Sequence, residues 1–91
     1  MTFLTWAIEF SGTSLRALKK VDRPVSNRII RYMRDVSALD DPRTRGKALT
    51  GPLSGLWRYR VGDYRVVCDI QDETVTIYAI DVDHRSRAYD G

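Results

Sequence analysis

Apolar Leu4, Trp6, Ile8 and Phe10 alternate with Thr5, Ala7 and Glu9 near the start of the chain. A period of two predicts a half-buried strand, here over residues 2–10. Ser11-Gly12-Thr13-Ser14 then reads as a turn rich in N-cap side chains. A short helix should follow it, with Leu15, Leu18 and Val21 on its inner face. Asp22-Arg23-Pro24 punctuates the chain with an N-cap residue and a proline suited to a first helical turn. The period changes there. Val25, Ile29, Tyr32, Met33, Val36 and Leu39 recur at helical spacing, predicting an amphipathic helix over about 23–39. Two helices with so short a joint should form a hairpin. Residues 38–55 hold Pro42, Pro52, Gly46, Gly51 and Gly55 and read as a connecting loop.

The last third returns to the period of two. Residues 56–61 and 64–70 flank Gly62-Asp63, a strong signal for a two-residue hairpin turn. Residues 74–82 are rich in β-branched side chains and predict a third strand, with 83–91 as a tail. The order is β-α-α-β-β-β. It describes one α+β domain over residues 1–91, an antiparallel sheet with a helical hairpin packed on one face.

Composition narrows the class. At 91 residues and 43% hydrophobic, the chain suits one small core and is too apolar for intrinsic disorder. No apolar run approaches the roughly 20 residues of a membrane span, and the N-terminus has no signal-peptide pattern. A cytoplasmic protein is expected. A single cysteine, Cys68, and a single histidine, His84, exclude an internal disulfide and a cysteine-rich zinc site. No cofactor and no metal are expected. The net charge is only +3, but 12 of the 15 basic residues are arginine. Arginine forks grip phosphate with two hydrogen bonds, so an anionic partner is suggested, nucleic acid first.

The hairpin register sharpens this. With Gly62-Asp63 as the turn, Val61 pairs with Tyr64, Arg60 with Arg65, Tyr59 with Val66, Arg58 with Val67 and Trp57 with Cys68. Paired residues share a face. Trp57, Tyr59, Val61, Tyr64, Val66, Cys68 and Ile70 therefore lie on one side, and Arg58, Arg60 and Arg65 on the other. Like charges set opposite one another are destabilising. A polyanion would turn that cost into binding energy. The competing reading is neutralisation by neighbouring acids such as Asp69, which can reach one arginine of the three. The third strand should return the tail to Tyr64-Arg65, adding His84, Arg85, Arg87 and Tyr89. Phosphate clamps, one group titrating near neutrality and a phenol suit the transesterification of RNA without metal.

The segment 56–67, Leu-Trp-Arg-Tyr-Arg-Val-Gly-Asp-Tyr-Arg-Val-Val, resembles the RelE branch of the RelE/ParE toxin superfamily, as do Val82-Asp83-His84-Arg85 and Tyr89. Residues 47–53 resemble the family's loop into its second strand, and Asp22-Arg23-Pro24-Val25 the start of its second helix. The resemblance spans nearly the whole chain. It implies a type II toxin that cuts mRNA in the ribosomal A site without metal and is held inactive by a cognate antitoxin. It also implies contact with operator DNA only through the antitoxin complex, and no membrane partner.

By the same resemblance, Arg65 and Arg85 match phosphate or transition-state arginines, and Tyr89 matches a tyrosine that stacks on the substrate base. Arg58 and Arg60 stand where some members carry lysines, one of them a general base. Arginine does not give up its proton readily, its pKa lying above about 12. His84 is therefore expected to transfer the proton, with Arg58, Arg60, Arg65 and Arg85 on the phosphates and Lys47 and Arg87 beside them. Arg28, Arg31, Arg34 and Ile30 form a helix surface that suits a flexible acidic antitoxin. Two alternatives stay open: a ParE-like poison of DNA gyrase and a catalytically degenerate antitoxin-binding module.

Overall fold

The computed structural model describes residues 5–86. Strand β1 spans Ala7–Phe10, helix α1 Gly12–Lys20 and helix α2 Arg23–Ser37. A short strand β2, Lys47–Ala48, precedes β3, Trp57–Val61, β4, Tyr64–Gln71, and β5, Thr76–His84. The segment expected to be plain loop thus contains a strand and two 3₁₀ turns, Pro42–Thr44 and Gly51–Leu53. The last strand runs on through Asp83 and His84, which were expected to belong to the tail. Arg87 and Tyr89 lie outside the described residues.

The strands form one sheet in the order β1-β5-β4-β3-β2. The meander β3-β4-β5 is antiparallel as expected, and the hairpin register matches the predicted pairing at every position from Trp57↔Cys68 to Val61↔Tyr64. A further departure is β1, which joins parallel to β5, making the sheet mixed. The reason is topological. A helical crossover returns the chain in its original direction. Two antiparallel steps then bring β5 back to that same direction beside β1. Gly62 supplies the positive φ of 60° that the tight turn requires at its first central position.

Alternation on the strands meets the helical stripe on one face. Leu18, Ile29, Met33 and Val36 pack against Tyr59, Val61, Val66, Cys68, Ile77, Ala79 and Val82. Each fully buried aliphatic side chain contributes roughly 1.5–3 kcal/mol. Leu15 departs from its expected place and stands 48% exposed. The buried stripe of α1 runs instead through Ser14 and Leu18, one helical turn apart. Ser14 is affordable there because its hydroxyl donates to the Ala79 carbonyl at 2.8 Å, while Ser11 caps the helix and donates to Ile80 at 2.6 Å. These two serines seat α1 on β5.

The segment 42–48 is pinned to β3 by aromatic donors. Tyr59 donates to the Pro42 carbonyl at 2.7 Å and Trp57 Nε1 to the Arg45 carbonyl at 2.7 Å. Gly46 lets the two backbones meet, since a Cβ at its φ of +76° would run into the Arg58 carbonyl oxygen. That contact sets Lys47 opposite Arg58.

Candidate functional site

On the face away from α1 and α2, the pairing arranges charged side chains in two rows across the strands. One row runs Lys47, Arg58, Val67, Asp81 from β2 to β5; the next runs Arg60, Arg65, Asp83 from β3 to β5. The three arginines share a face as expected, with Arg60 directly opposite Arg65. The face is polarised, basic on β2 and β3 and acidic on β5, with Arg65 between.

A bulge creates the acidic margin. Cys68 pairs with Ala79 and Val67 with Asp81, so β5 carries one extra residue, Ile80. Strict alternation after buried Ala79 would turn Asp81 and Asp83 inward and Val82 outward. The bulge reverses this, and Val82 is buried at 3% exposure while both carboxylates join the arginine face. The Asp81 carboxyl is pushed up to about 6, first by burial and then by its hydrogen bond to Asp83, with Arg65 pulling in the opposite direction. Its Oδ1 also accepts from the Val82 amide at 2.9 Å.

Beyond Ala79, where β1 ends, β5 continues as an edge. A groove of about 550 Å³ lies between that edge and α1, lined by Arg16 and Lys20 on one wall and Asp81, Asp83 and His84 on the other, with Tyr64. His84 pairs with Tyr64, not with Arg65. The structure therefore does not bring it onto the arginine face; it sits on the helix side, edge-on to the Tyr64 ring at 5.2 Å. Its Nδ1 accepts from the Ser86 amide at 3.2 Å and lies 2.7 Å from the Ser86 hydroxyl. An amide can only donate, so the Nδ1 lone pair is occupied and the neutral ring carries its proton on Nε2.

Arg85 is held at the β3–β4 turn. Its amide donates to the Asp63 carbonyl at 2.7 Å, and its Nε lies 4.0 Å from the Asp63 carboxylate. Arg60 is exposed at the edge of β3 and also borders a notch of about 210 Å³ with Arg28, Arg31 and Tyr32 of α2. The arginine face and the exposed helix arginines therefore meet at Arg60.

Comparison with known proteins places this geometry. Residues 8–89 match the family of the ParE toxin of the type II toxin–antitoxin system parDE. The chain is 30% identical over 87 residues to Toxin RelG of Mycobacterium tuberculosis, covering 94% of this chain and 98% of that one. It belongs to the RelE branch of the RelE/ParE toxin superfamily. A RelBE toxin–antitoxin complex from the same organism superposes with a TM-score of 0.82 at 29% identity, covering 93% of this chain and 97% of that one. The archaeal RelE–RelB complex from Pyrococcus horikoshii shares the fold, with a TM-score of 0.71 at 24% identity over 92% and 99% of the two chains.

In this RelE-branch toxin, sequence reasoning found the arginines and missed the acids that face them. Asp69, the one acid weighed, is bound by Gln71 Nε2 at 3.1 Å. A signal for Asp81 and Asp83 did exist. Ile77 and Ala79 are two apart and Val82 three further on, and a break of phase in an apolar alternation marks a bulge. Arg16 and Lys20 were legible only as an exposed helix surface; the groove they line forms only once α1 is seated on β5. Cys68 is a core thiol, fully buried and pushed up to about 12 by burial.

Proposed function

We propose that this toxin is a metal-independent endoribonuclease that cleaves mRNA on the ribosome. The 2′-hydroxyl attacks the adjacent phosphate, and a cognate antitoxin of the RelB kind holds the enzyme inactive. The observation that carries this reading is the double row of cations, Lys47 and Arg58 beside Arg60 and Arg65, on the sheet face opposite α1 and α2. Two opposed arginines on adjacent strands suit a doubly charged phosphorane better than they suit each other. Arg65 and Arg85 are assigned to the scissile phosphate, and Arg58, Arg60 and Lys47 to the phosphates flanking it. His84 Nε2–H is left as a hydrogen-bond donor at the rim of the groove. Arg87 and Tyr89 complete the site in this reading, Tyr89 by stacking on a base.

The antitoxin is assigned the exposed arginines of α2, Arg28, Arg31 and Arg34, which a flexible acidic segment can wrap as it folds. Induction of the chain in a bacterium lacking the antitoxin, with mapping of transcript 5′ ends over the first minutes, tests the function. New cuts inside translated codons with growth arrest are expected. Arrest with intact transcripts and broken DNA would replace this reading with gyrase poisoning. A folded product with no arrest would mark a binding module.

A further inference from the structure

Among the described residues, the arginines and Lys47 of the ribonuclease reading are assigned to phosphates and none of them to the 2′-hydroxyl proton. Arginine cannot serve, because its guanidinium stays protonated. Among the described residues, His84 stands on the helix side of the sheet, away from the arginine rows, with its Nδ1 turned to Ser86. One further pair of titratable groups shares the arginine face and reaches the groove: Asp81 and Asp83.

Resting on the ribonuclease reading, we infer that the Asp81–Asp83 pair is the general base that accepts the 2′-hydroxyl proton. The cross-strand rows place it. Asp83 lies directly opposite Arg65, and Asp81 lies one row along, opposite Val67 and in line with Arg58. A phosphate gripped by Arg65 thus has a carboxylate on its β5 side and guanidinium groups on its β3 side. The groove between β5 and α1 gives the attacking sugar room next to the pair. The charged groups on its side of the sheet are Arg65 and Asp69 on the neighbouring β4, then Arg58 and Arg60 on β3, with Lys47 furthest off on β2. Arg16 and Lys20 face it from α1, and His84 is its neighbour on β5.

In the step itself, the O–H bond of the 2′-hydroxyl breaks and its proton passes to a carboxylate oxygen of the pair. The 2′ oxygen bonds to phosphorus, the bond to the 5′ oxygen breaks, and the departing 5′ oxygen takes a proton from water. The products are a 2′,3′-cyclic phosphate and a 5′-hydroxyl. A carboxylate accepts a proton best when its own hold on that proton is matched to a working pH near neutrality. The raised Asp81 carboxyl agrees with that tuning.

The test is single-turnover cleavage of mRNA on programmed ribosomes by the purified toxin, in chelator-containing buffer, from pH 5 to 8. The wild-type rate is expected to rise about tenfold per pH unit at the acid end and to level off near pH 6. Asp81→Asn with Asp83→Asn should lower the plateau by about 10²- to 10⁴-fold with ribosome binding within about threefold. Asp69→Asn, the same charge change on the same face, should stay within about threefold of wild type. A flat wild-type profile, or a double variant that cleaves at the wild-type rate, overturns the base assignment and leaves the ribonuclease intact. The profile needs no variant to fold. A wild-type protein that cuts no transcript overturns both readings.

Discussion

The same three strands build two faces that obey opposite rules. On the covered face, Tyr59, Val61, Val66, Cys68 and Val82 meet two helices, and Tyr59 and Ser14 spend their hydroxyls on named carbonyls. On the bare face, Arg60 opposes Arg65, and Asp81 shares space with Asp83. Successive residues of a strand point to opposite sides, so one residue of sequence separates a group chosen for packing from a group chosen for charge. The difference teaches that stability and chemistry are carried by interleaved residue sets. A change on one face should register weakly on the other.

The largest break in that contrast comes from the covered face. Tyr59 is fully buried, sits 6.2 Å from the Tyr32 ring, and has its phenol pushed well above the ordinary value by burial. Tyr59→Ala should cost about 3–5 kcal/mol, leaving a cavity and an orphaned Pro42 carbonyl. Urea denaturation measures it. A cost below about 1 kcal/mol would mean that the covered face does not dominate stability.

The second break comes from the other face and is read in rate. Arg65→Ala should slow cleavage by about 10²–10³-fold, about 2.7–4 kcal/mol in barrier height. Its unfolding free energy should move by less than about 1 kcal/mol. A loss of stability as large as the loss of activity would make Arg65 a structural residue and erase the distinction between the faces.

How much of this was legible follows from the range of each signal. The hairpin register is local: a Gly-Asp turn and alternating apolar residues fix each partner from Trp57 to Cys68. The long helix is local too, its stripe set by one period. β1 lying parallel to β5 depends on where the chain returns after both helices, which no window of neighbouring residues contains. Leu15 failed for a similar reason. Its helix is seated by Ser11 and Ser14 reaching carbonyls more than sixty residues away, and that outweighs one leucine's burial. In the site, the arginines were legible because the hairpin is local. The acids were not, because their side depends on the bulge at Ile80, and the side of His84, expected only as part of the tail, depends on it too. Once the β4–β5 pairing is known, all three side chains fall into place together.

The smallest expected effect runs the other way and sharpens the contrast most. Asp81→Asn replaces a carboxyl held near 6 with a neutral group of the same shape. The folded protein binds this proton more tightly than the unfolded chain does, for which the ordinary value is 3.8. Below pH 3.8 both states are protonated, and the substitution should be neutral. As pH rises toward 6, the unfolded chain ionises first and the wild-type protein loses stability; above 6 the full cost stands. Because Asp81 is only half-buried, that cost is discounted to about 1 kcal/mol. Asp81→Asn should therefore be more stable than wild type by about 1 kcal/mol at pH 8 and indistinguishable from it near pH 3.5, by thermal melts at the two pH values. A variant destabilised at pH 8 would show the carboxylate serving the fold through Arg65. A variant more stable and inactive would place Asp81 among residues kept on the bare face at the expense of stability.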